Sequence, residues 1–136
     1  MIPNRFIPPI NLDLISSTVI TETVGGVVDI TITMIDSITA FNAVTSDGLQ
    51  ANSNTVSHRD KIAGIVLTNI AAGFSGSCRI EGEVFNPAWT WTAGDKIYLN
   101  GTSLSTTSPS TGFTQRLAIA KDTFTIILKP NPSIRI

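Results

Sequence analysis

Charge is scarce in this 136-residue chain: 14% of its residues are Asp, Glu, Lys or Arg, against 42% hydrophobic. Disordered chains usually combine low hydrophobicity with high net charge, so this composition argues for a folded core. It argues equally against a freely dispersed monomer, whose surface is typically about 25–35% charged. Ser, Thr and Asn supply the polarity instead, which suits a chain packed in an assembly; secreted and lectin-like β domains share that preference. Nine Lys plus Arg against ten Asp plus Glu leave no basic excess, so no nucleic-acid partner is expected. The apolar runs are far shorter than the roughly 20 residues of a membrane helix, so no membrane partner is expected either. The opening stretch, "MIPNRFIPPINL", carries Pro3, Pro8 and Pro9 and lacks the apolar segment of a signal peptide. The single cysteine, Cys78, excludes an internal disulfide. In "SCRIEGEVF" it reads as a small buried apolar residue. These absences suggest synthesis in a cytoplasm without export by the usual route.

Chemistry is scarce too. The lone histidine lies in "SHRD", residues 57–60. His-Arg-Asp occurs in kinase catalytic loops, but the glycine loop, strand lysine and Asp-Phe-Gly element are missing. In an extended segment Ser57 and His58 point to opposite faces, so a nucleophile–base pair is not expected; a solvated or interface histidine is. One His and one Cys, far apart, supply no metal site. The aspartates, Asp13, Asp29, Asp36, Asp47, Asp60, Asp95 and Asp122, are scattered, mostly in turns, where Asp caps nearby amides. No phosphate-binding glycine loop opens a helix. Asn100-Gly101-Thr102 matches a glycosylation acceptor but reads as a hairpin turn. The chain is therefore expected to be no enzyme, with no catalytic residue, metal or cofactor.

What is present is β pattern. No stretch repeats apolar residues at helical spacing over three turns. Residues 1–12 read as an extended arm, because three prolines remove amide donors from any regular ladder. The arm still carries Ile2, Phe6, Ile7 and Ile10, which must lie on something: its own domain or a neighbouring subunit. In "STVITETVGGVVDITITMI" two β-rich runs flank Gly25-Gly26, a two-residue hairpin signal. Val28, Ile30, Ile32 and Met34 alternate with polar residues, so the even positions face inward. "DSITAFNAV" reads as a third strand, "KIAGIVLTNI" as a largely buried one, and "AAGFSGS" as a loop. "CRIEGEVF", "KIYL" with the turn Asn100-Gly101, "TSLST", "FTQRLAIA" and "TFTIILK" follow. In the last of these Phe124, Ile126 and Leu128 share one face. The expected fold is all-β: a small antiparallel β-barrel or sandwich of short strands with an extended N-terminal arm. The expected divisions are an arm (1–12), a hairpin region packed on the main domain (13–40), a barrel (41–130) and an extended C-terminal tail (131–136).

One aromatic constellation remains. "NPAWTWTAGDKIYLNG" holds both tryptophans and the only tyrosine. With Thr90 between them, Trp89 and Trp91 share a face of an extended strand. Such a pair could stack a sugar, but no carboxylate or amide cluster sits beside it. Core or subunit-interface anchors fit better, because tryptophan is enriched at interface hot spots.

The stretches "FNAVTSDGLQA", "KIAGIVLTNIAAGFSGSCRIEGEVFNPAWTWTAGDKIYLNGTSLSTTSP" and "GFTQRLAIAKDTFTIILKP" carry a likeness over about residues 41–130. The order of the "aGi" strand, the "G-x-V" strand, the "W-x-W-x-x-G-D-x-I-Y-L" hairpin and "Q-R-L-A-I-A" resembles small phage virion proteins. These are capsid decoration (cement) proteins and the related β modules of head and tail fibres. The resemblance implies a small β-barrel on the capsid exterior, commonly a homotrimer at local three-fold positions, that reinforces contacts between major capsid protein subunits. It implies no catalytic residues. Gly94, Asp95 and Tyr98 carry over only as shapers of the hairpin. The longer N-terminal portion departs from a minimal module and leaves room for a fibre or tail role. The docking residues expected are Ile2, Phe6, Ile7 and Ile10 in the arm, Ile134 and Ile136 in the tail, and Trp89 and Trp91. The alternative is a glycan-binding module of a phage tail or head fibre, or of a bacterial surface protein, using the two tryptophans.

Overall fold

The computed structural model describes residues 19–24 and 26–136, with side chains from residue 26 onward. The arm, with Ile2, Phe6, Ile7 and Ile10, lies outside the described residues. The described residues form eleven strands: β1 (Val19–Val24), β2 (Val27–Thr33), β3 (Ala43–Thr45), β4 (Ile62–Val66), β5 (Ser75–Phe85), β6 (Lys96–Asn100), β7 (Ser103–Ser105), β8 (Phe113–Thr114), β9 (Arg116–Ala120), β10 (Thr125–Leu128) and β11 (Ile134–Arg135). The described residues contain no α-helix; one 3-10 turn spans Val56–His58. Every strand pair is antiparallel.

The main path runs β1-β2-β5-β10-β9-β6-β7, and β4 joins β5 to β3. The segment after β3 nearly closes this sheet into a barrel. Val44 bridges to Gln50, and the Ala51 amide donates to the Ala43 carbonyl at 3.1 Å. Two residues on, Ser53 donates to the Gly101 carbonyl at 2.9 Å and accepts from the Phe113 amide at 3.0 Å. Its hydroxyl accepts from the Gly101 amide at 2.7 Å. Ser53 is fully buried, and these bonds satisfy it.

Alternation sets the core. Val84, Ile97, Leu99, Ala118, Ala120, Ile126 and Leu128 point inward, where they meet Ala43, Ile65, Leu117 and Phe113. A second core joins Ile30, Ile32 and Met34 of the first hairpin side to Ile38, Val44, Val66, Ile70 and Cys78. β3 and β4 lie between the two, giving Ala43 and Ile65 to one and Val44 and Val66 to the other. The even-numbered face of β2 is thus inward as expected.

Several boundaries differ from the sequence reading. "DSITAFNAV" is not one strand: Phe41 adopts φ 68°, and pairing resumes only at Ala43. β5 begins inside the expected loop, at Ser75. "FTQRLAIA" splits at buried Gln115, whose Nε2 donates to the Asn131 carbonyl at 2.7 Å. The β6–β7 register pairs Asn100 with Ser103, so the turn residues are Gly101-Thr102, one later than expected. A positive φ of 63° at the first of them explains the shift, since that is where a II′ turn places glycine. Phe124 does not share the inward face of Ile126 and Leu128: it is exposed, one residue before β10 starts.

Cys78 is fully buried, as its neighbours suggested. Burial pushes its thiol up to about 12, and the Asp29 carboxylate adds to the rise. A thiol raised on folding leaves stability intact below its ordinary range. That stability is lost as pH climbs from about 9 toward about 12, where only the unfolded chain readily ionises. Cys78 is expected to resist a disulfide-exchange reagent at neutral pH and to react on denaturation. Alkaline destabilisation should be weaker in Cys78→Ala; equal alkaline curves for parent and variant would show that the thiol plays no part.

Candidate docking surfaces

The "SHRD" stretch is structural. His58 is buried, not solvated, and its Nδ1 accepts from the Asn52 amide at 3.1 Å. Asp60 accepts from the buried Ser133 hydroxyl at 2.6 Å, and Arg59 Nε donates to the same hydroxyl at 3.3 Å. These bonds tie the C-terminal segment to the loop. β11 then pairs with β8, so the tail is docked on its own barrel while Ile134 and Ile136 stay exposed. Among the described residues no group of three His, Cys, Asp or Glu could hold a metal ion. Among them no helix is long and apolar enough to cross a membrane.

Trp89 and Trp91 lie outside regular strand, yet their rings meet, with centroids 5.8 Å apart. Phe41 adds an edge-on contact to Trp89 at 5.4 Å. All three are partly buried against the barrel core that contains Ile97 and Leu99. The Asn86 amide donates to the Phe124 carbonyl at 2.9 Å, which continues the β5–β10 pairing, and the Trp91 amide donates to the Thr123 carbonyl at 3.0 Å. The Trp91 indole nitrogen is enclosed and has no acceptor among the described residues. Asp95 shapes the following turn: its carboxylate accepts from the Thr92 amide at 2.9 Å, and its carbonyl accepts from Ala120 at 2.8 Å. Gly94 donates to the Ala120 carbonyl at 2.9 Å, while Tyr98 lies half-buried on β6.

The surface that sequence reading missed is the outer face of β5, β10 and β9. Phe85 and Phe124 stack edge-on at 6.3 Å, and both are exposed. Alongside, Ile127 pairs in register with Ile119, and both point away from the core. The signal was available: in β9 and β10 the residues between inward positions are isoleucines, where a solvated barrel would carry polar side chains. Exposed apolar side chains gathered on one face mark an interaction site better than isolated ones do. Ile35 and Phe74 are also exposed, next to the Met34 main chain, which bonds both Gly73 and Phe74.

Comparison with known proteins gives one match. The family model described as phage cement protein matches residues 21–129, most of the chain. No curated protein and no solved structure matches. The likeness noted in residues 41–130 therefore extends back through β2 to β1. A nearly closed antiparallel barrel of short strands, an apolar outer face and this match over most of its length lead to one assignment: the chain belongs to the phage cement protein family.

Proposed function

We propose that the protein docks on the exterior of a phage capsid as a cement protein and reinforces contacts between major capsid protein subunits, without catalysing a reaction. The observation that carries this reading is the apolar outer face formed by Phe85, Phe124, Ile119 and Ile127. A chain with so few charges gains from covering such a face. The working form is a homo-oligomer, a trimer, made in the host cytoplasm and added to the virion from outside. Ile2, Phe6, Ile7 and Ile10 of the arm, with Ile134 and Ile136 of the tail, are the further contacts. Proline stiffening lowers the entropy lost when such an arm becomes ordered.

The test is addition of the purified full chain to capsids lacking it, followed by co-sedimentation and capsid melting. Binding and a raised capsid melting temperature are expected, with a solution mass that is a multiple of the protomer's. The double change Phe85→Ser and Phe124→Ser should weaken binding roughly 100-fold, the loss of two modest hot spots, and leave the fold's circular dichroism unchanged. Deleting residues 1–12 should also weaken binding or oligomerisation. Absence of binding to such capsids by the parent chain would overturn the docking role.

A further inference from the structure

Two shallow cavities adjoin on the outer face around β9. One, about 190 Å³, is lined by Arg116, Ala118, Ile119, Ile127, Lys129 and Asn131. The other, about 200 Å³, shares Arg116 and Asn131 with it and adds Lys96, Tyr98 and Ile134 among its walls. Together they make one furrow. Its floor is aliphatic: Ile119 and Ile127 are a cross-strand pair, 39% and 44% exposed. Its charges are all of one sign. Among the described residues Lys96, Arg116 and Lys129 line it, and no carboxylate does. In a chain of net charge −1 that is a local concentration of cations. The nearest carboxylate in register is Glu83, paired across β10 with Ile127, and it is held by Lys121 at 2.8 Å.

Arg116 is held in place before anything binds. Its carbonyl accepts from the Asn131 amide at 2.9 Å. With the Asn131 side-chain oxygen turned toward it, the guanidinium donates to that oxygen at 3.2 and 2.8 Å. A guanidinium has five N–H donors, so others remain for a ligand carboxylate, and little side-chain freedom is left to lose. Lys96 is the register partner of Ile119 on the next strand. The row Lys96–Ile119–Ile127 therefore crosses two strand spacings, about 10 Å, the reach of roughly three extended residues.

Resting on the cement reading, we infer that this furrow receives an extended acidic segment of the capsid protein. An aliphatic side chain of that segment sits on Ile119 and Ile127, and its carboxylates meet Arg116, Lys96 and Lys129. A protein segment fits better than a phosphate polyanion, because a sugar–phosphate backbone has nothing to place on the aliphatic floor. The chain's own residues 1–12 do not fit, since Arg5 is their only charged side chain.

The probe is a fluorescein-labelled peptide of alternating glutamate and isoleucine, titrated to millimolar against the full chain by anisotropy and amide NMR shifts. Shifts at β6, β9 and β10 are expected. Arg116→Glu should weaken binding at least roughly 10-fold, because it sets like charges against each other, and Ile119→Ser should weaken it several-fold, because it removes the apolar support. Arg116→Lys should retain part of the affinity and serves as the folding control. A glutamate–serine peptide should bind more weakly, and a lysine–isoleucine peptide not at all. Inorganic polyphosphate binding as tightly as the glutamate–isoleucine peptide would make the furrow a polyanion site and overturn the proposal. Peptide affinity unchanged in Arg116→Glu or Ile119→Ser would overturn it as well. On capsids, a folded Arg116→Glu that binds like the parent overturns this furrow as the docking point yet leaves the cement role standing; failure of the parent itself sinks that role.

Discussion

Gly64→Ala is expected to be strongly damaging through close contact alone, without the positive φ that also opposes alanine at Gly48 and Gly112. A Cβ on Gly64 would press into the Arg79 carbonyl oxygen, with the carbonyl carbon of Arg79 at 2.8 Å and the Cα of Ile80 at 3.0 Å. All three are main-chain atoms of β5, so no rotamer change relieves the contact. β5 cannot retreat, because on its other side Arg79 pairs in register with Asp29 of β2. Its guanidinium also grips the Asp29 carboxylate at 2.8 and 3.1 Å. Relief requires separating β4 from β5, and the expected loss is about 3 kcal/mol or more, the upper end of overpacking costs. That corresponds to a fall in melting temperature of roughly 10 °C for a domain of this size. Gly73→Ala is the comparison, since nothing lies within 4 Å of its Cβ and only its φ of +86° opposes the change. It should cost about 1–2 kcal/mol. A Gly64→Ala protein more stable than Gly73→Ala would show that the strands part easily.

Trp91→Ala and Trp89→Ala are each expected to cost about 3 kcal/mol, the low end for an aromatic truncation because the rings are only partly covered. The two losses should not add, since the rings touch each other and Trp89 also touches Phe41. Trp91→Phe should recover much of the loss at that site: it keeps an aromatic ring and removes an enclosed N–H that has no acceptor among the described residues. A sugar-stacking platform predicts the opposite pattern, with stability within about 0.5 kcal/mol of the parent. Melting curves and a glycan array decide between them. Parent-like melting of both alanine variants, together with loss of a specific sugar, would replace the structural reading with the fibre module.

The features legible in sequence were those set by period and by turn chemistry. Gly25-Gly26 marked the first hairpin, and Val28 to Met34 showed their inward face, because alternation needs no knowledge of what packs opposite. Three kinds of feature stayed hidden. Phe41 at φ 68° broke an apparently continuous strand, which no bulky residue announces. His58 and Ser133 became buried through partners 6 residues and 73 residues away, at Asn52 and Asp60. The outward isoleucines of β9 and β10 were read simply as strand, since a short apolar run does not declare which of its faces is covered. At the tryptophans, sequence gave the pair and the apolar support of Ile97 and Leu99, but not the third ring, Phe41, from a distant segment.

The shared wall of β3 and β4 has a thermodynamic consequence. Val44 and Val66 on one side, and Ala43 and Ile65 on the other, belong to different apolar compartments but to the same two strands. Neither compartment can empty while the other stays packed, so denaturation should be a single all-or-none transition in which calorimetric and van't Hoff enthalpies agree. No half-melted species is then populated to offer unpaired strand edges to neighbouring copies. In the proposed capsid-bound state that spares neighbouring copies from strand exchange during heating, and each copy is either intact or lost.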